Sequence, residues 1–273
     1  MKRILSLLCL LCCAPLAAQT SLGDYRRAVL RYSWQLKAAA ARTEAAAQRF
    51  GQARTGFLPQ LSLDGSFSAT VRRSNDAERW TFSVLPQLVQ VVYGGGSVRA
   101  AVDRARAGYD IALCDEEFSR LEIGYAADYA YWNLSALELY AAAMRQYVRL
   151  IVSLKEVVDR RFEEGYIAKG DVLMIDARLS EARSQLVTAE QRAEVALHNF
   201  NILQGADASA PVRLTDSVRD SILMPQHADH AAALERRPDY AAAQLRIVQA
   251  EASVRGARAP FNPQVSVGIG GVW

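Results

Sequence analysis

The feature that most restricts the fold of this 273-residue chain is a stretch without proline from Ser97 to Glu164. As one helix, at about 1.5 Å per residue, the stretch would be about 100 Å long. Helices of ordinary globular domains average about 11 to 12 residues. We therefore expect a long helix over residues 97–164 that belongs to an extended rod.

A second helix is predicted over residues 171–204, after a short tip at residues 165–170. Apolar residues recur in it at spacings of three and four without a slip, which is typical of a coiled-coil seam. Four of the ten seam positions are alanine, so the partner backbone must approach closely, and the preceding helix is the natural antiparallel partner. Gly205 ends this helix, and residues 206–231 form a connector. The seam positions are Val172, Ile175, Leu179, Ala182, Leu186, Ala189, Ala193, Ala196, Phe200 and Leu203.

Two strands are predicted ahead of the rod, after a helix over residues 21–56 that Pro59 brings to an end. Over residues 60–72, apolar and small residues alternate with polar ones, and a polar turn at residues 72–78 leads to a second strand over residues 80–93. Pro86 has no N–H for a strand ladder, so we expect this strand to lie at an edge or to bulge there. Both strands exceed the about 9 to 11 residues that cross a bilayer in a tilted barrel.

The helix and strand unit begins again near the end of the chain. Shifted by 204 positions, Ala28 to Phe67 align with Ala232 to Gly271 without a gap and with twelve identities in forty positions. The identities include a Phe-x-Pro-Gln-x-Ser string at both helix-to-strand junctions. The sequence thus predicts a first repeat over residues 19–231 and the start of a second, truncated repeat over residues 232–273.

The first eighteen residues have the pattern of a signal peptide, in which Lys2 and Arg3 precede an apolar run. Three of the four cysteines lie in this segment, so the exported chain would keep only Cys114 and form no internal disulfide. Without Lys2 and Arg3, 30 basic residues stand against 29 acidic ones. This balance gives no indication of a nucleic-acid ligand.

Several motifs resemble those of the TolC family of trimeric outer-membrane efflux channels. The most specific runs from Arg161 to Leu173 and matches the family's tip motif, an aromatic residue, a glycine and, six residues on, an aspartate. Arg237-Pro238-Asp239-Tyr240, Val92-Tyr93-Gly94-Gly95 and Asn201-Ile202-Leu203-Gln204-Gly205 match further family segments. Two places differ from the family: Ser33-Trp34 replaces the usual Asn-Pro, and Lys169-Gly170 stand where many members have uncharged or hydroxyl residues.

The resemblance implies a mainly α fold with a β-barrel part, in which coiled-coil hairpins and two membrane strands per repeat are duplicated and three subunits form one tunnel. It implies a homotrimer in the outer membrane, with its helices in the periplasm, contacting lipid, a periplasmic adaptor and an inner-membrane pump. Such a passive exit duct needs no cofactor and is not an enzyme. Drugs, metal ions, peptides and proteins all remain possible cargo.

By the same resemblance, Asp171 would ring the periplasmic entrance in three copies and favour cations, and Lys169 would add positive charge beside it. The alternative for Asp171 is a helix N-cap, and the two roles are compatible. The tip formed by Gly165, Tyr166, Ile167 and Ala168 would contact the adaptor, or would be a plain helix-helix turn. Gly94 and Gly95 would form the strand-to-helix junction.

The strands carry the residues expected to face lipid. Trp80 and Tyr93, near the ends of the second strand, suit interfacial aromatic belts, with scattered core aromatics as the alternative. The remaining members of the predicted membrane face are Leu61, Leu63, Phe67, Val71, Phe82 and Val84.

Other chemistry finds little support in the sequence. His227 and His230 are three residues apart, but no cysteine or glutamate cluster completes a metal site. The glycine triplet lacks the Lys-Ser/Thr of a phosphate loop, and no base lies beside Cys114 in the sequence. The chief rival is a periplasmic adaptor or coiled-coil scaffold, and a secreted enzyme is the third alternative. We also expect that residues 1–273 alone do not form a conducting channel, because three copies would supply too few strands.

Overall fold

The computed structural model describes residues 19–69, 80–219 and 230–271. The chain divides into two compact units: residues 1–36 with 120–226, and residues 37–119 with 227–273. The predicted signal peptide, the turn at residues 72–78, Val71 and His227 lie outside the described residues. The same holds for the side chain of His230.

The first helical segment is divided, where the sequence predicted one helix over residues 21–56. Strand β1 (Gln19–Thr20) precedes helix α1 (Leu22–Tyr32), and α2 (Trp34–Arg54) follows after one residue. Ser33 between them leaves helical geometry at ψ 116°. Its hydroxyl accepts a hydrogen bond from the Leu36 N–H at 3.3 Å. A single 3-10 turn (Thr55–Phe57) then completes the segment. The prediction of one helix was wrong because a serine hydroxyl can accept a hydrogen bond from the first turn of a new helix wherever the backbone leaves helical geometry.

The rod is a helical hairpin. Helix α3 (Ser97–Glu163) has 67 residues, and α4 (Lys169–Gln204) has 36. The predicted seam on α4 is confirmed, since all ten of its positions are buried or half-buried. Near the tip, Ile175 and Leu179 of the seam form a cluster with Ile151 of α3. Lys155 of α3 also forms an ion pair with Asp176 of α4 at 2.8 Å.

The main core of the first unit joins three helices. Tyr25 and Phe200 stack in it with ring centroids 3.8 Å apart. The Tyr25 hydroxyl donates to the Phe200 carbonyl at 3.0 Å, so its only polar atom has a partner. The core consists of Tyr25, Val29, Ile123, Ala127, Tyr131, Leu134, Ala196 and Phe200.

The connector after α4 returns to the start of the described chain. Strand β4 (Arg213–Leu214) pairs in parallel with β1. Beyond it, the Asp216 carboxylate accepts from the Leu22 N–H at 2.9 Å and from the Tyr131 hydroxyl at 3.2 Å. One carboxylate therefore satisfies the first N–H of α1, whose N-cap is Ser21, and fixes the connector to the core.

The second unit contains a three-stranded antiparallel sheet. Strand β2 (Gln60–Ala69) pairs with β3 (Trp80–Gly94), which pairs with β5 (Gln264–Gly270). The strand that carries Pro86 is therefore central, and its bulge lies between Val91 and Tyr93, so the expectation of an edge or a bulge at Pro86 was wrong. The pairing with β5 begins only at Gln87, next to Pro86. The proline thus lies at the end of that ladder, where its missing donor costs little.

The same elements recur at the 204-residue spacing that the sequence shows. Helices α5 (His230–Glu235) and α6 (Pro238–Arg258), a 3-10 turn (Ala259–Phe261) and β5 complete the described chain. Helices α2 and α6 begin at residues 34 and 238, the 3-10 turns at 55 and 259, and strands β2 and β5 at 60 and 264. Each pair is 204 residues apart, so both copies make the same helix-to-strand transition.

Candidate functional site

The tip of the hairpin is a tight turn held by backbone hydrogen bonds. Gly165, with a φ of 79°, ends α3, and its N–H donates to the Phe162 carbonyl at 3.0 Å. The Tyr166 N–H donates to the Arg161 carbonyl at 2.9 Å, which completes a Schellman motif. Glycine adopts this backbone conformation without the steric cost that a Cβ would add.

The tip exposes an apolar surface to solvent. The Tyr166 side chain is 77% exposed, Ile167 is half-buried, and Gly165 and Ala168 are exposed. The four residues predicted to contact an adaptor therefore form one accessible turn.

Asp171 lies inside the first turn of α4, at the third helical position. Ala168, in extended geometry, is the N-cap, so the alternative role of Asp171 as the N-cap itself was wrong. The Asp171 carboxylate instead accepts from the Ala168 N–H at 3.3 Å, the reaching-back half of a capping box. Lys169 is exposed at the first helical position, and among the described residues it forms no ion pair with Asp171.

The sheet has one apolar face that is largely open to solvent. Residues directly opposite each other on antiparallel strands lie on the same face. Leu61 pairs with Leu88, Phe67 with Phe82, and Leu88 in turn with Ile269. The Phe67 and Trp80 rings stack at 5.7 Å between centroids. Gln90, opposite Val267, interrupts this face with a polar side chain. We call this surface the apolar face; its apolar members are Leu61, Leu63, Phe67, Trp80, Phe82, Val84, Pro86, Leu88, Tyr93, Val265, Val267 and Ile269.

The opposite face carries small and polar side chains. Ser66 pairs with Ser83, and their hydroxyl oxygens lie 2.7 Å apart. Val89 and Leu85 interrupt its polarity on β3, opposite Gln60 and Asp64. We call this surface the polar face; on β2 it consists of Gln60, Ser62, Asp64, Ser66 and Ser68.

The bulge in β3 decides where Tyr93 lies. Trp80 and Tyr93 are separated by an odd number of positions, so strict alternation would place them on opposite faces. The extra residue between Val91 and Tyr93 reverses the alternation, and Tyr93 pairs with Val265. The two aromatic residues thus lie on the apolar face at its two ends, with side chains 58% and 50% exposed.

Gly94 and Gly95 form the strand-to-helix junction. Gly95 has a φ of 63°, and a Cβ on it would lie 2.4 Å from the Ala259 carbonyl oxygen. The Asn262 side-chain amide donates to the Gly95 carbonyl at 2.9 Å. A Cβ on Gly94 would lie 2.7 Å from the Ser97 hydroxyl oxygen. The close approach of the second repeat therefore explains the need for glycine at Gly95, whereas a Cβ on Gly94 would meet a flexible hydroxyl of its own segment.

Sequence reasoning missed the part that Asn201 plays at the opposite end of α4. This side chain is fully buried, and its amide donates to the Ala208 and Ala210 carbonyls at 2.9 and 2.8 Å. It thereby closes the loop that follows Gly205. The signal available in the sequence was a polar residue directly after Phe200 of the apolar seam. An amide that is buried at such a position needs hydrogen-bond partners.

The described residues offer little for metal or thiol chemistry. Nowhere in residues 19–69, 80–219 and 230–271 do three or more His, Cys, Asp or Glu side chains group as metal ligands. Burial raises the pKa of the half-buried Cys114 thiol, and the carboxylates of Asp115 and Asp110 raise it further. A thiol of raised pKa is a poor nucleophile at neutral pH.

No helix in the described part of the chain is both long and apolar enough to cross a membrane.

Comparisons with known proteins agree with this geometry. The pyoverdine export outer membrane protein OpmQ of Pseudomonas putida is 27% identical over 252 residues, which cover 87% of this chain and 53% of that protein. The chain therefore spans about half the length of this curated relative.

Solved structures show the same fold. The channel protein CusC has a TM-score of 0.79 at 18% identity, over 94% of this chain and 61% of its own. The outer membrane protein VceC of Vibrio cholerae has a TM-score of 0.75 at 20% identity, over 92% of this chain and 67% of its own.

A family model described as outer membrane efflux protein matches residues 26–205, from α1 to the end of the rod. The resemblance to TolC channels is thereby confirmed, and the chain belongs to the outer membrane efflux protein family.

Proposed function

We propose that this protein is a subunit of a passive exit duct in the outer membrane, whose helical hairpins extend into the periplasm. The apolar face of the sheet carries this proposal. Its large side chains are mostly exposed, whereas soluble proteins rarely leave so continuous an apolar surface in water. In a membrane barrel, lipid would cover the apolar face and water would solvate the polar face.

The open edges of the sheet support the proposal of a trimer. Among the described residues, β2 and β5 each have a strand neighbour on one side only. Lipid does not tolerate unpaired backbone N–H and C=O groups, so a membrane sheet must close into a barrel. We propose that three copies of the protein from the complete gene pool their strands and close the barrel, as the family resemblance implies.

Energy and cargo would come from partners. We propose that an inner-membrane pump and a periplasmic adaptor deliver the cargo, and that the duct performs no chemistry and needs no cofactor. The exposed turn from Gly165 to Ala168 is the proposed adaptor contact, because it presents Tyr166 to solvent without competing intramolecular packing.

We propose that Asp171 and its two symmetry copies form a ring of carboxylates at the entrance. Its exposed carboxylate and fixed backbone partner at Ala168 support this role, since three carboxylates around an axis attract cations. Lys169, two residues earlier, would weaken that attraction. Trp80 and Tyr93 are the proposed belt residues.

The first test concerns location and assembly. Outer-membrane fractions of cells expressing the complete gene should contain a trimer that dissociates to monomers only when heated in detergent. A monomer found in the periplasmic fraction would refute the proposal.

The second test uses neighbouring residues on the two faces of β3. Arginine in place of Leu88, midway between the proposed belt residues Trp80 and Tyr93, would meet lipid near the bilayer midplane and cost about 2–4 kcal/mol, whereas arginine in place of Gln87 would point toward water. We expect Leu88→Arg to abolish the heat-sensitive trimer and Gln87→Arg to retain it. Equal assembly of both variants would count against lipid on the apolar face.

The third test concerns the entrance. In planar bilayers under a salt gradient, Asp171→Asn should shift the reversal potential toward anions, and Lys169→Gln should shift it toward cations. An unchanged potential in Asp171→Asn would exclude the carboxylate ring.

A further inference from the structure

A groove in the second unit has the size of a small-molecule site. It is open, has a volume of about 670 Å³, and lies between α2 and α3. Ligand pockets typically span about 300–1,000 Å³, so the groove is large enough for a small organic molecule. Its lining includes six small residues: Ala46, Ala53, Gly56, Ala101, Ala105 and Gly108.

Two guanidinium groups line this groove. Arg49 comes from α2 and Arg104 from α3, and both side chains are exposed. Among the described residues neither forms an ion pair, unlike Arg255, which pairs with Asp103 at 3.1 Å. Each guanidinium presents a planar fork of N–H donors that matches a carboxylate. Two free forks beside one groove suit a ligand with more than one carboxylate.

Helix α6 completes the groove through Gln249. The Gln249 side-chain amide donates to the Arg104 carbonyl at 3.5 Å. A Cβ on Gly108 would lie only 3.0 Å from the same amide nitrogen, so the glycine makes room for it. Gln249 thereby adds an amide to the lining.

The surrounding helix ends are strongly basic. Within residues 42–56, 97–108 and 246–258, nine arginines stand against three acidic residues, Glu44, Asp103 and Glu251. Two of the nine form ion pairs, Arg246 with Asp115 and Arg255 with Asp103. Such an excess of one sign raises the local concentration of counter-charged solutes. The arginines are Arg42, Arg49, Arg54, Arg99, Arg104, Arg106, Arg246, Arg255 and Arg258.

The groove reaches the polar face of the sheet at one residue. Gln60, the first residue of that face on β2, also lines the groove. The lining contains none of the large side chains of the apolar face. The groove would therefore open toward the water-filled side of a duct.

We propose that the groove between Arg49 and Arg104 is an anion-binding site that favours cargo carrying two or more carboxylates. This proposal rests on the proposed function, because it gives the exit duct a preferred chemical class of cargo. The two guanidiniums bind the carboxylates, and Gln249 and Gln60 offer amide groups to the remaining polar atoms.

The test uses citrate as the probe and the protein from the complete gene in planar bilayers. The groove variant is Arg49→Gln with Arg104→Gln. The matched control, Arg42→Gln with Arg106→Gln, removes the same charge from exposed positions on the same helices outside the groove. We expect the citrate concentration that halves the current to rise about fivefold or more in the groove variant only.

The outcomes separate this inference from the proposed function. A wild-type channel that conducts but does not respond to citrate overturns the proposed anion-binding site and does not contradict the proposed exit duct. Equal loss in both variants also overturns it, because the effect would then come from general charge. If the wild type does not conduct, the exit duct is refuted, and calorimetric titration of the detergent-solubilised protein with citrate tests the groove alone. Binding that only the groove variant loses supports the site, and no binding overturns it.

Discussion

The Tyr25 ring lies parallel to the Phe200 ring within 9°, and its hydroxyl donates to the carbonyl of the same residue. Burial raises the pKa of Tyr25 above the ordinary value of 10.0. Desolvation is the cause, because the phenolate would have to lose its water in the core. The contact between α1 and α4 therefore requires a neutral tyrosine.

The first prediction is that the free energy of unfolding falls as the pH rises above about 10. Above that pH the unfolded chain releases the tyrosine proton while the folded chain retains it, so proton loss favours the unfolded state by up to about 1.4 kcal/mol per pH unit. Burial also raises the pKa of Tyr131, which adds to the loss. Below pH 10 this contribution to stability is fully present.

Tyr25→Phe tests the alkaline effect. It should cost about 1 kcal/mol at pH 7 through the lost hydrogen bond, yet reduce the loss of stability above pH 10. Urea midpoints of the helical circular dichroism signal, at pH 8 and pH 11, would measure both. Tyr129→Phe is the control, since that ring is 63% exposed. An alkaline loss as large in Tyr25→Phe as in the wild type would contradict the prediction.

The two glycines that end the rod helices give the second prediction. Gly165 and Gly205 have φ values of 79° and 76°, and both close Schellman motifs. A Cβ on Gly165 meets nothing within 4 Å, whereas a Cβ on Gly205 would lie 2.3 Å from the Tyr32 ring. Alanine at either site costs about 1–2 kcal/mol of backbone strain, and alanine at Gly205 also displaces the ring.

We therefore expect Gly205→Ala to lower the urea midpoint clearly more than Gly165→Ala. Adding Tyr32→Ala to Gly205→Ala should bring the cost of the alanine back to that of the backbone alone. If the two single variants were equally stable, the close approach of Tyr32 would have no energetic weight.

The third prediction concerns the buried amide of Asn201. Asn201→Ala leaves the carbonyls of two half-buried residues without their donor, and the cost should lie near the lower end of the about 1–3 kcal/mol of an unpaired buried polar group. Asn201→Asp has the same shape but would place a carboxylate against the Ala208 and Ala210 carbonyl oxygens. It should be less stable than Asn201→Ala at pH 7 and should recover as the pH falls, because protonation restores one donor.

Urea titrations of both variants at pH 7 and pH 4 would measure this order. The exposed neighbour Ile202 offers a control, since Ile202→Ala is expected to change little. An Asn201→Asp variant as stable as the wild type at pH 7 would mean that Asn201 does not hold the loop.

The rod and the repeat could be predicted from the sequence alone. The seam positions recur every three or four residues from Val172 to Leu203, because these positions are buried or half-buried. This apolar period can be recognised in the sequence without knowledge of the partner helix. The break at Ser33 and the bulge before Tyr93 were not predictable in this way. Each depends on one residue that leaves the regular geometry, a serine that caps a helix and an extra residue that shifts a ladder.

The residues of the candidate site likewise divide into those that the sequence could predict and those that it could not. The glycines of the tip and the junction could be recognised from family motifs, but the reason for Gly95 lies in Ala259, which is 164 residues away in the sequence. Likewise, Arg49 and Arg104 come from different helices and look like ordinary charged surface residues in the sequence. Contacts between distant segments leave no local pattern, so only the folded chain brings them together.

The last prediction uses the adjacent glycines of that junction. A Cβ on Gly95 would collide with the Ala259 carbonyl oxygen and press on Asn262, which lead into β5. A Cβ on Gly96 meets nothing within 4 Å, although its φ of 91° strains any other residue. Gly95→Ala should therefore move β5 away from β3 and prevent the sheet from closing, whereas Gly96→Ala should cost only about 1–2 kcal/mol of backbone strain.

The measurement is the fraction of protein that migrates as a heat-sensitive trimer in outer-membrane fractions. We expect this fraction to be lost in Gly95→Ala and largely kept in Gly96→Ala. Asn262→Ala provides an independent check, because it removes the 2.9 Å hydrogen bond to the Gly95 carbonyl without adding bulk. Its trimer fraction should fall between those of the two glycine variants. A Gly95→Ala protein that assembles as well as Gly96→Ala would show that the contact with Ala259 is not needed for closing the sheet.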